Sequence, residues 1–432
     1  MKIKFVQKAI DKIRGKKYPR SVQAQLLDFP QNKKLLLKKE KSNKILMVYH
    51  RNFLYCDAGN NQYAYNITKT LKELGYSIDF FAVPWSDIIS DYDNFDESNK
   101  AKDNLVDNLY LSIDGKNHKQ RKYYQTTWCN DDAVDKFDEI IGKNNYDYIF
   151  IHYVNYLDLI RFSKYKLQVP IVLLASDFDS IQNFLAAKNQ KREPFIGFGS
   201  NISQEIQLLS CVDKILCISN DEKCFFKRFY PDKQIEFLPF FDDLKINSNA
   251  QEKKYDCVFL GANNYHNVNS LIWFEKNILP ELKKGIKIYV CGKVGTGLKE
   301  TCFESYQKML DYGAKFIDFV ENLDDLYSKT KISIAPMVSG TGMKIKTITS
   351  MSYGIPTVTT ELGVDGFIDK SNNGCLVSDN PKEFASYIEK LLEDSEFYNL
   401  AQKNTIEYFK SNFSKEKNKI NLEKILGSNC VK

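Results

Sequence analysis

The stretch whose residues most clearly suit ligand binding is a loop of small residues near residue 340. A predicted strand ends at Pro336, the loop 339–342 (Ser-Gly-Thr-Gly) follows, and a helix is predicted over 343–353. Glycines let the backbone approach a ligand closely, and the free N–H groups and the dipole at a helix start attract anions. Lys344 or Lys346 adds a full positive charge, so the pattern predicts a diphosphate site. The plain alternative is an ordinary turn with solvated lysines.

Polar side chains also follow predicted strands in the first part of the chain. Asp57 lies in the loop after the first of these strands, His152 ends a later one, and Ser176 and Asp177 follow the next. Ligands of open parallel sheets bind at the carboxyl ends of the strands, where a carboxylate or an imidazole can take a proton from a substrate. Asp177 is the first candidate for that role. Its plain alternative is the N-cap of the following helix.

Metal and disulfide chemistry have little support in the sequence. Asp91 and Asp93, like Asp177 and Asp179, have the spacing D-x-D, which is short enough to recur by chance. The ten cysteines are scattered, form no C-x-x-C pair, and in several cases lie within apolar strands, where a thiol behaves as a small hydrophobe. We therefore expect neither a bound metal nor a disulfide framework.

The elements around these residues alternate between strands and helices. In the first half, predicted strands cover 44–50, 77–83, 148–153, 170–175, 214–219 and 235–239. In the second half they cover 257–261, 286–292, 315–320, 332–336 and 356–360. Helical segments lie between the strands, and this alternation is typical of α/β proteins with parallel sheets. The fold class predicted is α/β, with two Rossmann-like doubly wound domains that face a cleft.

The length of 432 residues suits two domains of ordinary size. We predict a basic N-terminal extension over 1–43, an N-terminal domain over 44–244 and a C-terminal domain over 254–395, followed by helices over 396–432 that pack back on the N-terminal domain. The polar stretch around 245–253 is the predicted linker. The segment 84–135 has weak periodicity and is predicted to be an irregular insertion.

The positive charge is concentrated at the start of the chain. Residues 1–44 contain fourteen Lys and Arg against three Asp and Glu, and the remaining 388 residues carry a net charge of −5. This distribution argues against a nucleic-acid binder. No apolar stretch approaches the roughly 18 residues of a membrane span, and the N-terminus lacks the features of a signal peptide. We expect a cytoplasmic protein.

The segment 339–367 (SGTGMKIKTITSMSYGIPTVTTELGVDGF) resembles the C-terminal signature of retaining glycosyltransferase family 4 (glycosyl transferases group 1) and its relatives with the GT-B fold. The segments 255–261, 264–280, 288–292 and 319–325 resemble further elements of that family, in the same order. In the first half, 212–219 and 238–239 also fit. The resemblance is good over roughly 205–370 and thin before about 140.

The resemblance implies roles for particular residues. The diphosphate of a sugar nucleotide would be held by Gly340, Thr341, Gly342, Lys344 and Lys346. The strand end at Val320 would meet the base, and Asp365 is a candidate contact of the sugar. Gly261 ends the first strand of the donor domain, and His266 in the next loop would face the cleft. Such enzymes typically work without metal, so no cofactor is expected beyond the donor substrate.

The sequence departs from the family pattern in two places. Many members have two glutamates eight positions apart around this loop, and here those positions are Thr341 and Thr349. Members often have a His-Asp pair where Ser176 and Asp177 stand. The first departure puts in doubt how the sugar is held and whether the anomeric configuration is retained. An inverting enzyme needs a base on the acceptor side, for which Asp177, Asp57 and His152 are the candidates.

The function expected from these observations is transfer of a sugar from a nucleotide-diphosphate sugar to a glycan, lipid-linked or protein acceptor, in bacterial surface polysaccharide or glycoconjugate synthesis. The enzyme would be hexosyltransferase-like and metal-independent. The alternative is a catalytically inactive sugar-nucleotide-binding subunit of a glycosylation complex on the same fold, which the missing glutamates favour.

The basic N-terminal extension has a predicted partner of its own. Ile3, Val6, Ile10 and Ile13 recur at helical spacing among lysines within residues 1–20. A short basic helix with an apolar stripe suits an anionic membrane surface, which predicts peripheral attachment to the inner face of the membrane. The alternative is a helix that packs its apolar stripe on the body of the protein.

Overall fold

The computed structural model describes residues 27–37, 40–56, 58–84, 88–112, 128–176, 178, 180–181, 184, 198–246 and 252–427. Within these ranges the strands form two large parallel sheets, one in each half of the chain, and one small parallel pair. The small pair joins β1 (Lys34–Leu36) to β6 (Tyr165–Leu167). Asp57 and Asp177 lie outside the described residues, as does the stretch 1–26.

The first half contains a sheet of seven strands. These are β2 (Lys44–Tyr49), β3 (Ser77–Ala82), β4 (Asn108–Leu111), β5 (Tyr148–His152), β7 (Ile171–Ala175), β8 (Lys214–Cys217) and β9 (Gln234–Phe237). Their order across the sheet is β4-β3-β2-β5-β7-β8-β9, and every pair is parallel. Strands β5 and β7 are buried along their whole length, because helices cover both faces of the sheet.

The helices of the first half connect these strands. They are α1 (Gly59–Glu73), α2 (Phe95–Lys100), α3 (Asp131–Lys143), α4 (Leu157–Phe162), α5 (Phe198–Leu208) and α6 (Asn220–Phe229). Helix α3 begins where the Asn130 side chain accepts a hydrogen bond from the Ala133 N–H, and α6 begins at a similar cap by Ser219.

The second half contains a sheet of six parallel strands. These are β10 (Tyr255–Leu260), β11 (Ile288–Cys291), β12 (Lys315–Ile317), β13 (Thr330–Ala335), β14 (Thr357–Thr359) and β15 (Cys375–Val377). Their order is β12-β11-β10-β13-β14-β15. The helices around them are α7 (Tyr265–Trp273), α8 (Val294–Thr301), α9 (Phe303–Tyr312), α10 (Leu323–Ser328), α11 (Ile345–Ser352) and α12 (Pro381–Glu393).

The chain ends with two helices, α13 (Ser395–Asn412) and α14 (Lys415–Gly427). Helix α14 lies against the first half, where Leu422 and Leu426 join the buried cluster that contains the core of the first sheet. The Tyr148 hydroxyl donates a hydrogen bond to the Leu426 carbonyl, and the Lys214 ammonium donates to the Ile425 carbonyl. The chain therefore crosses back from the second half to the first.

Two parallel sheets with helices on both faces confirm the predicted fold class. Some elements differ from prediction. The segment predicted as an irregular insertion contains, in its described part, helix α2 and the edge strand β4, while the strand predicted over 315–320 ends at Ile317. Strand β15 was not predicted, because three half-buried residues are too few to show a pattern. None of the helices among the described residues has the length and apolar character of a bilayer-crossing segment.

Candidate functional site

The glycine-containing loop connects β13 to helix α11 at the carboxyl edge of the second sheet. Gly340 and Gly342 have φ values of +102° and +67°, in the left-handed region that favours glycine. A Cβ at Gly340 would lie 3.3 Å from the His266 ring. The loop thus turns sharply beneath this ring, and its backbone stays close to the helix start.

Lys344, the residue before α11, is buried and folds back over the loop. Its ammonium donates hydrogen bonds to the carbonyl oxygens of Gly342 at 2.7 Å and Thr341 at 3.2 Å. The loop is therefore closed by the lysine that the sequence predicted as a phosphate contact. The Thr341 Oγ1 is buried and has no hydrogen-bond partner among the described residues, which leaves it available to a ligand after a small adjustment of the loop.

The side chain of Lys346 has no acidic side chain beside it among the residues that the structure describes. Its Nζ lies 4.4 Å from the centroid of the Phe259 ring, donates a hydrogen bond to the Asn267 side-chain oxygen, and lies 3.7 Å from the Met337 sulfur. No carboxylate among the described residues forms an ion pair with it. Burial, together with the neighbouring charge of Lys344, lowers the pKa of Lys346 to about 7. The surroundings therefore favour an anion at this position.

His266, in the first turn of α7, completes this side of the loop. Its Nδ1 lies 3.0 Å from the Ser339 hydroxyl. Burial lowers the pKa of His266 below its ordinary value, and the charges of Lys344 and Lys346 lower it further. Near neutral pH the imidazole is therefore uncharged, and it can still hydrogen-bond to a ligand.

Gly261 follows β10 and lies against the turn after β11. A Cβ on Gly292, whose φ is +89°, would lie only 2.4 Å from the Gly261 carbonyl oxygen, so these two strand ends are in close contact. Asn267 donates a hydrogen bond to the Ala262 carbonyl at 2.9 Å while its oxygen accepts one from Lys346. Gly261, His266 and the lysines therefore belong to one connected site.

Val320 and Asp365 take part in other contacts. Val320 follows β12 and packs against a buried cluster of Val258, Cys291 and Leu326. Asp365 forms an ion pair of 3.2 Å with Lys370, and Lys370 also contacts Asp221 of the first half at 2.8 Å. Asp365 thus takes part in a contact between the halves.

The carboxyl edges of the two sheets face each other across a cleft. A Cβ on Gly59, at the start of α1, would lie 2.8 Å from the Ile345 Cδ1, so the starts of α1 and α11 meet. The Asn220 N–H donates to the Gly366 carbonyl at 3.0 Å. A cavity of about 300 Å³ lies near the segment that joins the halves. It is lined by residues of α1, of the joining segment, of the second half and of α14, including Gln62, Asn66, Phe241, Asp242, Leu323, Thr349 and Lys415.

The first half contributes His152 to its strand edge. The side chain is fully buried, and burial lowers its pKa to about 3. Its Nε2 forms a short hydrogen bond with the Ser176 hydroxyl. The other two predicted acceptor-side candidates, Asp57 and Asp177, are outside the described residues. Ser176, which follows β7, immediately precedes Asp177.

The sequence did not identify three residues of the second-half site: Phe259, Asn267 and Met337. Phe259 and Met337 look like ordinary core residues in sequence, and only the structure places them beside an ammonium group. Asn267 could have been predicted from the sequence, because polar residues in the first helical turn after a strand are typical of ligand sites in parallel sheets. In the described part of the chain there is no group of three or more His, Cys, Asp or Glu residues that could hold a metal ion.

A family model for glycosyl transferases group 1 matches residues 254–394, which include the loop, both lysines and His266. The match is to the second half of the chain. Solved structures with the GT-B fold of two facing Rossmann-like domains resemble most of the chain. A sucrose-phosphate synthase from Thermosynechococcus elongatus has a TM-score of 0.67 at 15% identity over 88% of this chain and 98% of its own. HepE from Anabaena, in complex with UDP-glucose, has a TM-score of 0.62 at 13% identity over 89% and 99%. The chain thus has the GT-B fold.

One known protein is similar to this chain in amino-acid sequence. An uncharacterized 44.6 kDa protein in the cps region of Klebsiella pneumoniae is 25% identical over 193 residues. The alignment covers 41% of this chain and 47% of that protein, so the chain spans about half the length of the relative.

The pKa of Lys346 gives a prediction for anion binding. A diphosphate stabilises the charged ammonium, so its binding should draw a proton onto Lys346 when the pH is above about 7. Affinity for the anion should fall as the pH rises from 7 to 9. We expect calorimetry with inorganic diphosphate at pH 8, in two buffers of different ionisation enthalpy, to show an uptake of about half a proton to one proton that Lys346→Arg lacks.

Arginine stays charged throughout this pH range, so Lys346→Arg is the matched control: it should still bind the anion, with less dependence on pH. Equal proton uptake by the parent and by Lys346→Arg would show that Lys346 is already charged or does not contact the anion.

Proposed function

We propose that the protein is a glycosyltransferase that transfers a sugar from a nucleotide-diphosphate sugar. The observation that carries this proposal is the site at the start of α11, where a glycine loop, the buried Lys344 and a Lys346 that forms no ion pair among the described residues lie together. A helix start with exposed N–H groups adds a partial positive charge. The match to the group 1 family model over 254–394 and the UDP-glucose bound to the structural relative HepE support the same conclusion.

The donor would lie along the edge of the second sheet. Its diphosphate would contact Gly340, Thr341, Gly342, Lys344 and Lys346. Its nucleoside would extend toward Val320 and the cavity lined by Leu323 and Thr349, because Thr349 is one helical turn beyond Ile345 and the cavity volume suits a nucleoside. His266 and Gly261 would contact the phosphate or sugar.

Departure of the nucleotide diphosphate would be assisted by positive charge supplied by the protein. The lysines and the α11 dipole stabilise the charge that develops on the leaving group, and the closed cleft orients donor and acceptor. We expect no metal to be needed for this step. The acceptor hydroxyl would lose its proton to Asp177, with Asp57 as a second candidate. Asp365, placed at the contact between the halves, remains a candidate sugar contact on closure.

A hexose is proposed from the resemblance to group 1 transferases. The relative in a cps region supports a role in surface polysaccharide or glycoconjugate synthesis, with a glycan, lipid-linked or protein acceptor at the cytoplasmic side of the membrane.

A second function is favoured by one specific observation. Thr341 and Thr349 stand where many family members have glutamates, and Thr349 is almost fully buried beside the cavity. A catalytically inactive subunit that binds the sugar nucleotide would keep the lysine site and lose these carboxylates. Release of free sugar from the donor by the purified protein separates the two functions, because only an enzyme cleaves the donor bond.

The proposed donor site is tested by thermal unfolding with UDP-, GDP-, ADP-, TDP- and CMP-sugars. The donor that binds should raise the melting temperature, since a ligand that binds only the folded state stabilises it by RT ln(1 + [L]/Kd).

Lys344→Ala and Lys346→Ala should each weaken the binding of that donor by about 10- to 100-fold, because each removes a charge-assisted contact of roughly 1.5–3 kcal/mol. Lys329→Ala, which removes a partly exposed lysine paired with Asp325, is the matched control. If all variants bind like the parent, the loop is not the phosphate site.

The proposed base is tested by Asp177→Asn, with Asp179→Asn as the matched control two residues away. If Asp177 takes the acceptor proton, Asp177→Asn should reduce transfer by about 10²–10⁴-fold while donor affinity is unchanged. Asp179→Asn should transfer like the parent, and EDTA should leave all rates unchanged. A normal rate for Asp177→Asn would move the role to Asp57, or indicate a retaining reaction without an enzymic base.

The proposed membrane partner is tested by sedimentation with anionic vesicles at low salt. Full-length protein should pellet with the vesicles and be released at high salt, because each Lys or Arg near the lipid contributes about 1 kcal/mol that salt screens. A truncated chain that begins at Leu27 keeps β1 and its pairing with β6, and it should remain folded and stay in the supernatant. If the truncation instead lowers the melting temperature and neither protein pellets, residues 1–20 pack on the protein.

A further inference from the structure

His152 is held rigidly at the carboxyl edge of the first sheet. Its imidazole lies between the rings of Tyr49 and Tyr153, with centroids 4.6 and 4.7 Å away and interplanar angles of 22° and 13°. No part of His152 is exposed to solvent. A group enclosed in this way cannot touch an acceptor molecule, so its effect on the reaction must pass through a neighbour.

That neighbour is Ser176. The His152 Nε2 and the Ser176 Oγ form a short hydrogen bond, whereas the His152 Nδ1 is buried without a hydrogen-bond partner among the described residues. A neutral imidazole carries one N–H, and leaving a buried N–H unpaired is costly, more so than leaving an acceptor nitrogen unpaired. The proton therefore lies on Nε2, and His152 donates to Ser176.

This arrangement fixes the direction of the serine hydroxyl. Because one lone pair of the Ser176 oxygen receives the His152 proton, the hydroxyl proton of Ser176 points elsewhere, and among the described residues no acceptor receives it. Ser176 follows β7 at the sheet edge that faces the second half, immediately before Asp177. Its hydroxyl is thus a prepared hydrogen-bond donor at the acceptor side of the cleft.

The backbone next to His152 shows that this geometry is imposed by the surroundings. Tyr153 has a φ of +75°, which is strained for a residue other than glycine. It is held there by a hydrogen bond from its N–H to the Leu174 carbonyl at 3.1 Å, and its hydroxyl accepts one from Asn60 at 3.0 Å. The strained residue keeps its ring stacked on His152. His50, which also contacts Tyr49 and Tyr153, is likewise uncharged because burial lowers its pKa to about 3.

We propose that His152 is a positioning residue that holds the Ser176 hydroxyl as a hydrogen-bond donor to the attacking oxygen of the acceptor, an uncharged hydroxyl of a sugar. This rests on the proposed function. In the transfer, the bond between that oxygen and the anomeric carbon forms, the bond to the nucleotide diphosphate breaks, and the acceptor proton passes to Asp177. Ser176 keeps its own proton and orients the oxygen.

The first experiment needs neither donor nor acceptor. Histidines labelled with ¹⁵N are observed by NMR in the full chain, and the signals missing in His152→Gln assign His152 among the four histidines. We expect the Nε2–H tautomer, with no titration between pH 5 and 8. A proton on Nδ1, or titration near pH 6.5, would overturn the proposal regardless of activity.

The second experiment measures transfer from the nucleotide sugar found by thermal unfolding to a panel of p-nitrophenyl hexosides. Ser176→Ala and His152→Leu should each lower kcat/KM for the acceptor by about 10- to 100-fold, and the double variant should be no slower than either, because the two residues act as one unit. His152→Gln, whose amide can also donate to Ser176, should recover most of the rate. Donor affinity should stay within about twofold in every variant.

Ser163→Ala is the matched control, since Ser163 is a buried serine of the same half that bonds to Asp138 on another element. It should affect stability without changing the acceptor KM or kcat. A parent-like rate for His152→Leu beside a slow Ser176→Ala would contradict the positioning role of His152. If the parent binds no sugar nucleotide, the proposed function fails, and the tautomer measured by NMR still decides the geometry at Ser176.

Discussion

The parallel direction of every strand in both large sheets is the constraint on which the site depends. In a parallel sheet all carboxyl ends lie at one edge, and the loops that leave them must lead into helix starts. The two edges face each other because α1 and α11 meet where Gly59 contacts Ile345. A larger residue at Gly59 would require the Ile345 side chain to move. Residues almost 300 positions apart in sequence thus line one cleft.

The two walls of the cleft differ in their electrostatics. On the second-half wall, Lys346 lies among an aromatic ring, a thioether and an amide, where its charge is only marginally stable without an anion. On the first-half wall, His50 and His152 are neutral because they are buried among tyrosine rings. This difference matches a reaction in which negative charge develops on the donor side and an uncharged hydroxyl attacks from the other.

The threonines at 341 and 349 place uncharged side chains at two positions near the proposed donor. Thr341 places an unpaired hydroxyl inside the loop, and Thr349 presents no charge to the cavity between the halves. A donor would therefore depend more heavily on the lysines and on backbone N–H groups than on carboxylates. The same substitutions would suit a subunit that binds a sugar nucleotide without cleaving it.

The sequence by itself determined the α/β class, most strands and the strand–loop–helix that holds Gly340, Gly342 and both lysines, because these depend on local periodicity and on backbone freedom. It did not determine β4 or β15, since edge strands are short and only half-buried. Only the tertiary structure decided that Phe259, Asn267 and Met337 surround Lys346, and that Ser176 is held by His152. Those contacts join residues from different strands, and burial sets their charge states. Neither the contacts nor the charge states can be read from the order of residues in the sequence.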